Sequence, residues 1–129
     1  MMPLRKRKKD EERDWYRRGV ETYLDASYRA GTRATPSEFA ILFRTERSTL
    51  ARAFRRLFGK TPLQYFRSQQ LLHAAKLLRR SPLTVDQITV IAGLGTRSTF
   101  FRLFSAHFGM TPNQYRRNPP RPRSDGQPP

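Results

Sequence analysis

The sequence predicts an all-α protein of about seven helices, in which one helical unit is built twice around a long connector helix. Three observations carry this reading. Apolar residues recur at three- and four-residue spacing, and few stretches alternate in the period-2 manner of strands. Glycine, threonine and proline punctuate the chain at regular intervals. The run RSTLARAFRRLFGKTPLQY, Arg47–Tyr65, returns as RSTFFRLFSAHFGMTPNQY, Arg97–Tyr115.

Residues 1–9 read as a disordered basic arm and 118–129 (NPPRPRSDGQPP) as a Pro-rich disordered tail. The first helix is expected over Asp10–Ala30, with acids in its first turn to suit the helix dipole. Its apolar stripe is Trp15, Val20, Tyr23, Leu24 and Ser27 or Tyr28, and Gly31 ends it. Thr35-Pro36-Ser37-Glu38 then offers an N-cap, a proline at the first helical position and a capping-box Glu, opening a short helix Pro36–Phe43. The next helix spans Arg47–Phe58 and stops at Gly59. Thr61-Pro62 restarts the chain as a helix to Arg80, roughly 28 Å long. Ser81-Pro82 breaks it. Thr84 and Gln87 form a capping box for Val85–Ala92, Gly93 makes a turn, and Arg97–Phe108 follows. Gly109 stops that helix, and Thr111-Pro112 opens a last one to about Arg117. Residues 10–117 thus form one domain: a first subdomain 10–61, the connector 62–80 and a second subdomain 81–117.

Between Glu46–Arg67 and Thr96–Arg117, twelve of 22 positions are identical. Two copies of one supersecondary unit are the natural conclusion. In each copy Gly-x-Thr-Pro ends one helix and caps the next: glycine supplies the left-handed residue, threonine the cap, proline a preset φ. Leu50, Ala53, Phe54, Leu57 and Phe58 share one face of the first repeated helix. Phe100, Leu103, Phe104, His107 and Phe108 share one face of the second. These faces are expected to pack inward. The outer face of the first holds Arg47, Ser48, Ala51, Arg52 and Arg55. That of the second holds Arg97, Ser98, Phe101, Arg102 and Ser105, with Thr96 at its start. A short helix, a tight turn and a second helix with a small, polar, basic outer face make a helix-turn-helix, whose second helix enters the DNA major groove. The fold class is therefore two helix-turn-helix subdomains joined by a connector helix.

The chemistry suits that placement. Arginine bonds guanine O6 and N7 in a bidentate fashion, and serine contacts bases or phosphates. Phe101 has two readings, a contact to a thymine methyl or packing under the N-terminal segment. Arg52 and Arg102 are the strongest candidates, because the repeat places them equivalently on both outer faces. A connector of this length separates two reading heads, and successive major-groove segments on one face of DNA lie roughly 34 Å apart. One chain, acting as a monomer, is expected to span an asymmetric site of roughly 20 base pairs.

Charge agrees. Lys plus Arg is 26 against 10 Asp plus Glu, a net +16. Residues 47–118 carry +12 of it with a single acid, Asp86, so the excess lies on the repeated half and not mainly in the RKRKK run of Arg5–Lys9. Such a charge points to nucleic acid as partner, with an anionic membrane surface as runner-up, and the helix-turn-helix reading makes that nucleic acid double-stranded DNA. No apolar run is long enough to span a bilayer and no secretory signal follows the basic N-terminus, so a cytoplasmic protein without membrane partner is expected. The absence of cysteine excludes disulfides, thiolate metal sites and cysteine nucleophiles. His73 and His107 have no carboxylate at a useful spacing, and Gly93-Leu94-Gly95 is too short for a dinucleotide loop, so neither enzyme, metal nor cofactor is expected. Two rivals are a non-specific DNA-coating protein, which needs only lysine and arginine, and a truncated regulator that blocks a promoter.

From about Val20 to Arg117 the chain resembles the DNA-binding domain of the AraC/XylS family of transcription regulators. The resemblance rests on Leu50, Arg52, Phe54, Gly59, Thr61, Pro62 and Tyr65 in the first copy and on Leu71, Ala74, Leu77 and Leu78 along the connector. In the second copy it rests on Ile88, Gly93, Ser98, Phe100, Arg102, Phe104, Gly109, Thr111, Pro112, Tyr115 and Arg116. It implies base-reading helices Arg47–Phe58 and Arg97–Phe108 in a bacterial activator or repressor acting near promoters, with RNA polymerase a candidate further partner. With no room for the effector domain most members carry, the chain looks like the short, stand-alone MarA/SoxS type, or like a domain cut from a longer regulator. The Met-Met start and Pro-rich end favour the former. It departs from the family pattern at Gln70, usually Arg, at Thr89, usually Ala, and at Leu94, usually Phe. Gly95 adds flexibility before Thr96, and Arg44 stands where some members have a turn glycine.

Overall fold

Long runs of Arg, Lys, Glu, Leu and Ala favour helix, and Pro36, Pro62 and Pro112 stand at the first position of a helix, not in its interior. The computed structural model describes residues 4–120, with side chains from Arg7 onward, and among these residues it is all-α. The seven helices are α1 (Leu4–Ala30), α2 (Pro36–Leu42), α3 (Arg47–Phe58), α4 (Pro62–Arg80), α5 (Val85–Ile91), α6 (Arg97–Phe108) and α7 (Pro112–Arg117).

The N-terminal arm departs from expectation. Helix α1 begins at Leu4, so residues 4–9 are helical and not a disordered arm; residues 1–3 lie outside the described residues. The physical reason is local. Arginine and lysine are good helix formers, and Arg7 and Lys8 stand four residues before Glu11 and Glu12, where opposite charges support a helix. The earlier start also moves Asp10–Glu12 out of the first turn, which holds no acid. The apolar stripe differs by one residue: Tyr16 is buried at 9% exposure, whereas Trp15 stands 48% exposed. Tyr16 meets the edge of Phe54 with ring centroids 5.2 Å apart. The Pro-rich tail is non-helical at Asn118–Pro120, and its remainder, 121–129, lies outside the described residues.

The chain divides into two compact units, with the boundary after Arg67, inside α4. In the first unit Phe39, Phe54 and Phe66 are fully buried and meet one another with Tyr16, Val20, Tyr23, Leu24, Leu50 and Leu57. In the second Ile88, Ala92, Phe100 and Phe104 are fully buried, with Leu71, Ala74, Leu78, Leu94 and Tyr115 around them. The helix read as a connector therefore supplies core residues to both units, Tyr65 and Phe66 to one and Leu71, Ala74, Ala75 and Leu78 to the other.

The repeated residues have a structural account. Phe54, Phe58 and Tyr65 form a ring cluster with centroids 4.3–5.5 Å apart. Phe104, Phe108 and Tyr115 repeat it at 4.4–5.3 Å. Gly59 and Gly109 are both left-handed, at φ 67° and 74°. Thr61 and Thr111 cap α4 and α7, and Gln64 and Gln114 return the favour: each glutamine Oε1 accepts from the threonine N–H at 2.9 Å. His107 departs from the predicted inward face; it is exposed, and Leu103 and Phe108 are only half-buried. Helix α6 closes its core chiefly with Phe100 and Phe104.

Candidate nucleic-acid interface

Each unit holds a short helix and a longer one joined by a tight turn, α2–α3 and α5–α6. In the first, Tyr23 of α1 fixes the start of α2. Its hydroxyl donates to Glu38 Oε1 at 2.7 Å and accepts from the Thr35 N–H at 2.9 Å. Thr35 Oγ1 in turn accepts from the Glu38 N–H. The capping box expected of Glu38 is thus replaced by Tyr23, whereas Thr84 and Gln87 form a full capping box on α5.

The two turns share one backbone device. The Thr45 N–H donates to Ala40 O at 2.9 Å and the Arg44 N–H to Ile41 O at 3.1 Å. The Leu94 N–H donates to Thr89 O at 3.2 Å and the Gly93 N–H to Val90 O at 3.1 Å. This closure needs a left-handed residue at its corner. Gly93 takes φ 71°, and Arg44 takes φ 52°, the one positive φ at a non-glycine among the described residues. The first turn thus opens with the same backbone closure as the second despite the arginine. Leu94 is 1% exposed in the core, and Gln70, 5% exposed, brings its Nε2 to 3.4 Å from where a Gly93 Cβ would stand. Thr89, where a small residue is usual, is buried with its hydroxyl donating to Val85 O at 2.8 Å. The turns differ in length, residues 43–46 against 92–96.

On α3, Arg47, Ser48, Ala51, Arg52 and Arg55 are all exposed and lie opposite Leu50, Ala53, Phe54 and Leu57, which are buried. On α6, Arg97, Ser98 and Arg102 are exposed, as is Thr96, whose Oγ1 caps the helix by accepting from the Thr99 N–H. Phe101 is half-buried and packs against the core of its own unit, which is a different packing from the one under the N-terminal segment that the sequence suggested. The Arg97 guanidinium lies 5.0 Å from that ring's centroid. Ser105 is half-buried.

The first arginine of each longer helix reaches back to the short one. Arg47 Nη1 donates to Ser37 Oγ at 2.7 Å, and Arg97 Nη1 to Asp86 Oδ1 at 2.8 Å. Sequence reasoning missed this pairing. The extra residue in the second turn shifts the repeat from an offset of 50 to one of 49, so an alignment anchored on the longer helices never pairs Ser37 with Asp86. Elsewhere arginines brace helix ends. Arg13 Nε donates to Leu57 O at 3.2 Å, and Arg56 pairs with Glu12 at 2.8 Å. Arg116 Nε donates to Leu78 O at 3.1 Å and its Nη2 to Ser81 O at 3.3 Å. Among the described residues no His, Cys, Asp and Glu cluster could hold a metal ion, and no helix is long and apolar enough to cross a membrane.

Two helix-turn-helix motifs in one all-helical chain define a class, the DNA-binding domains of transcription regulators. The comparisons place the chain within it. A family described as a helix-turn-helix domain matches residues 39–118, more than half of the chain, and the chain belongs to this AraC-type family of DNA-binding transcription regulators. Among solved structures it is similar to the DNA-binding domain of AdpA, a global transcriptional factor, in complex with a target DNA. That match has 25% identity and TM-score 0.66 and covers 76% of this chain and 89% of that one. It shares its fold with an AraC-type transcriptional regulator from Chromobacterium violaceum at 21% identity and TM-score 0.67, covering 83% and 99%. It also shares it with the C-terminal domain of AraT, a response regulator from Geobacillus stearothermophilus, at 23% identity and TM-score 0.67, covering 78% and 82%. No curated protein sequence matches.

Proposed function

We propose that this DNA-binding regulator reads a promoter site with two helices, α3 and α6, each laid in a major-groove segment. The observation that carries the reading is the repeated pairing of a buried aromatic face with an exposed face of small and basic residues. Arg52 and Arg102 stand at equivalent exposed positions of the two helices. Each arginine recognises a guanine, and Ser48, Ala51 and Ser98 let the helix backbone approach the bases closely. Arg47, Arg55 and Arg97 supply further contacts, and Thr96 and Phe101 border the second head. The AdpA domain, to which the chain is similar over 76% of its length, was solved on a target DNA, which supports a duplex as the partner. Because both heads belong to one chain, it binds as a monomer to an asymmetric site. Promoter-bound, it acts by contact with RNA polymerase or by blocking it.

The test is a binding-site selection: purified protein against a random library of duplexes about 30 base pairs long at roughly physiological salt. Two short, non-palindromic boxes about one helical turn apart are expected. A single box would restrict base reading to one helix. No enrichment, with affinity governed by salt alone, would overturn the reading in favour of a DNA-coating protein. Arg52→Ala and Arg102→Ala should each weaken binding to the selected site by about 1–3 kcal/mol, each at its own box, and leave affinity for random duplex little changed. Equal loss on both duplexes would make them phosphate contacts.

A further inference from the structure

Asp86 is the one acid between Arg47 and Asn118 in an otherwise basic stretch. It occupies the second position of α5, where the repeat places Ser37 in α2. Both positions receive the first arginine of the following helix, but the two arginines are held differently. Arg47 meets a neutral hydroxyl at 2.7 Å. Arg97 meets a carboxylate at 2.8 Å, and its guanidinium also rests on Phe101, whose counterpart in the first copy is Ala51. Arg97 is therefore held on two sides, by a carboxylate and by a ring, whereas Arg47 is held by a single hydroxyl.

The Arg97–Asp86 pair is exposed, 55% and 69% for the two side chains, and pairs of this kind add little to folding stability. Its consequence lies at the surface that the proposed reading turns toward DNA. A carboxylate beside the groove repels phosphates and weakens the pull Arg97 exerts on them. A guanidinium pinned by Nη1 and stacked on a ring still has N–H donors in one fixed plane, and it loses less side-chain freedom when it meets a base edge. We propose that Asp86 is a specificity-determining positioning residue: it turns Arg97 from a general phosphate contact into a base-selecting one, while Arg47, on Ser37, remains a phosphate clamp. The inference rests on the reading of α6 as a base-reading helix.

The experiment replaces Asp86 by Ser, which copies the first head, and by Asn, which keeps the shape without the charge. Affinities of wild type and variants are measured over a salt series on the selected site, on that site with the second box scrambled, and on random duplex. Both variants should bind random duplex about 3- to 10-fold more tightly, with a salt slope steeper by about one. Their ratio of specific to random affinity should fall by a similar or larger factor, and Arg97→Ala should cost the second box in wild type but all duplexes equally in Asp86→Ser. An unchanged ratio, or equal weakening on all three duplexes, overturns the proposal. The melting temperature should move little in either variant, and a large drop would make Asp86 a folding residue instead. Arg102→Ala separates the two levels. If it still loses only the selected site while Asp86→Ser leaves the ratio unchanged, the inference fails and the base-reading function stands. If neither arginine nor Asp86 variants distinguish one duplex from another, the function itself fails.

Discussion

Arg44 holds a backbone angle that its side chain disfavours. A left-handed conformation costs a residue with a Cβ about 1–2 kcal/mol, and here the turn requires it, because the Thr45 N–H must reach Ala40 O. Gly93 meets the same requirement without that cost. Arg44→Gly should therefore stabilise the protein by about 0.5–1 kcal/mol, after the greater chain entropy of glycine is deducted, read as a raised denaturant midpoint. A drop in stability would show that the arginine side chain makes a compensating contact. Gly19 shows the reverse case. A mid-helix glycine ordinarily gains from replacement by alanine, but a Cβ here would lie 2.7 Å from the tip of the Phe43 ring. That ring is stacked on Phe39 at 4.2 Å and met by Trp15 at 5.3 Å, so it has little room to swing away. Gly19→Ala should cost about 1–3 kcal/mol. Combination with Phe43→Leu should recover part of the loss, and no recovery would place the strain elsewhere.

The elements owe their boundaries to capping chemistry, and this is why most of them were readable. Thr61 with Gln64 and Thr111 with Gln114 satisfy each other's backbone N–H groups. Thr61→Ala and Thr111→Ala should each cost about 1 kcal/mol, and their effects should add, because the two caps share no partner. Non-additivity in a double variant would reveal coupling along α4. Helix α1 is the exception. Its start has no cap signal, and a run of basic residues reads as a solvated arm unless the acids one turn later are counted as partners. Helices α3, α4, α6 and α7 match their predicted bounds, and α2 and α5 end one residue early, at the cap residues Phe43 and Ala92.

At the scale of the molecule, each unit carries its own aromatic core, with α4 passing from one to the other. Phe104→Ala should destabilise the second unit by about 3–5 kcal/mol, with amide exchange protection lost over residues 85–117 and retained over 16–58. Uniform loss would show a single cooperative fold. Burial also raises the phenol pKa of Tyr16, Tyr23, Tyr65 and Tyr115 above the ordinary 10.0, chiefly by desolvation. The folded state binds these protons more tightly than the unfolded chain. The stability they contribute is complete below about pH 10 and is lost as pH rises through the higher folded values. The denaturant midpoint should therefore fall above pH 10, and a midpoint flat to pH 11 would contradict this burial.

The sequence by itself determined the helix count, the repeat and the family, because caps, glycines and apolar spacing act over a few residues and leave a local signature. It also separated the buried faces of α3 and α6 from the exposed ones at most positions. Tertiary structure decided the rest. Tyr16 is an exception that the sequence did carry: it stands four residues before Val20 and seven before Tyr23, on the buried face, and Trp15 does not. His107 lies in register with the apolar face, yet α6 fills its core without it. The hold of Ser37 on Arg47 and of Asp86 on Arg97 depends on how a short helix is folded back over a longer one, and the unequal turns hid that equivalence from any fixed-offset comparison. Contacts across a turn are set by backbone geometry at its corner, and that geometry is common to an arginine and a glycine whose sequence preferences differ.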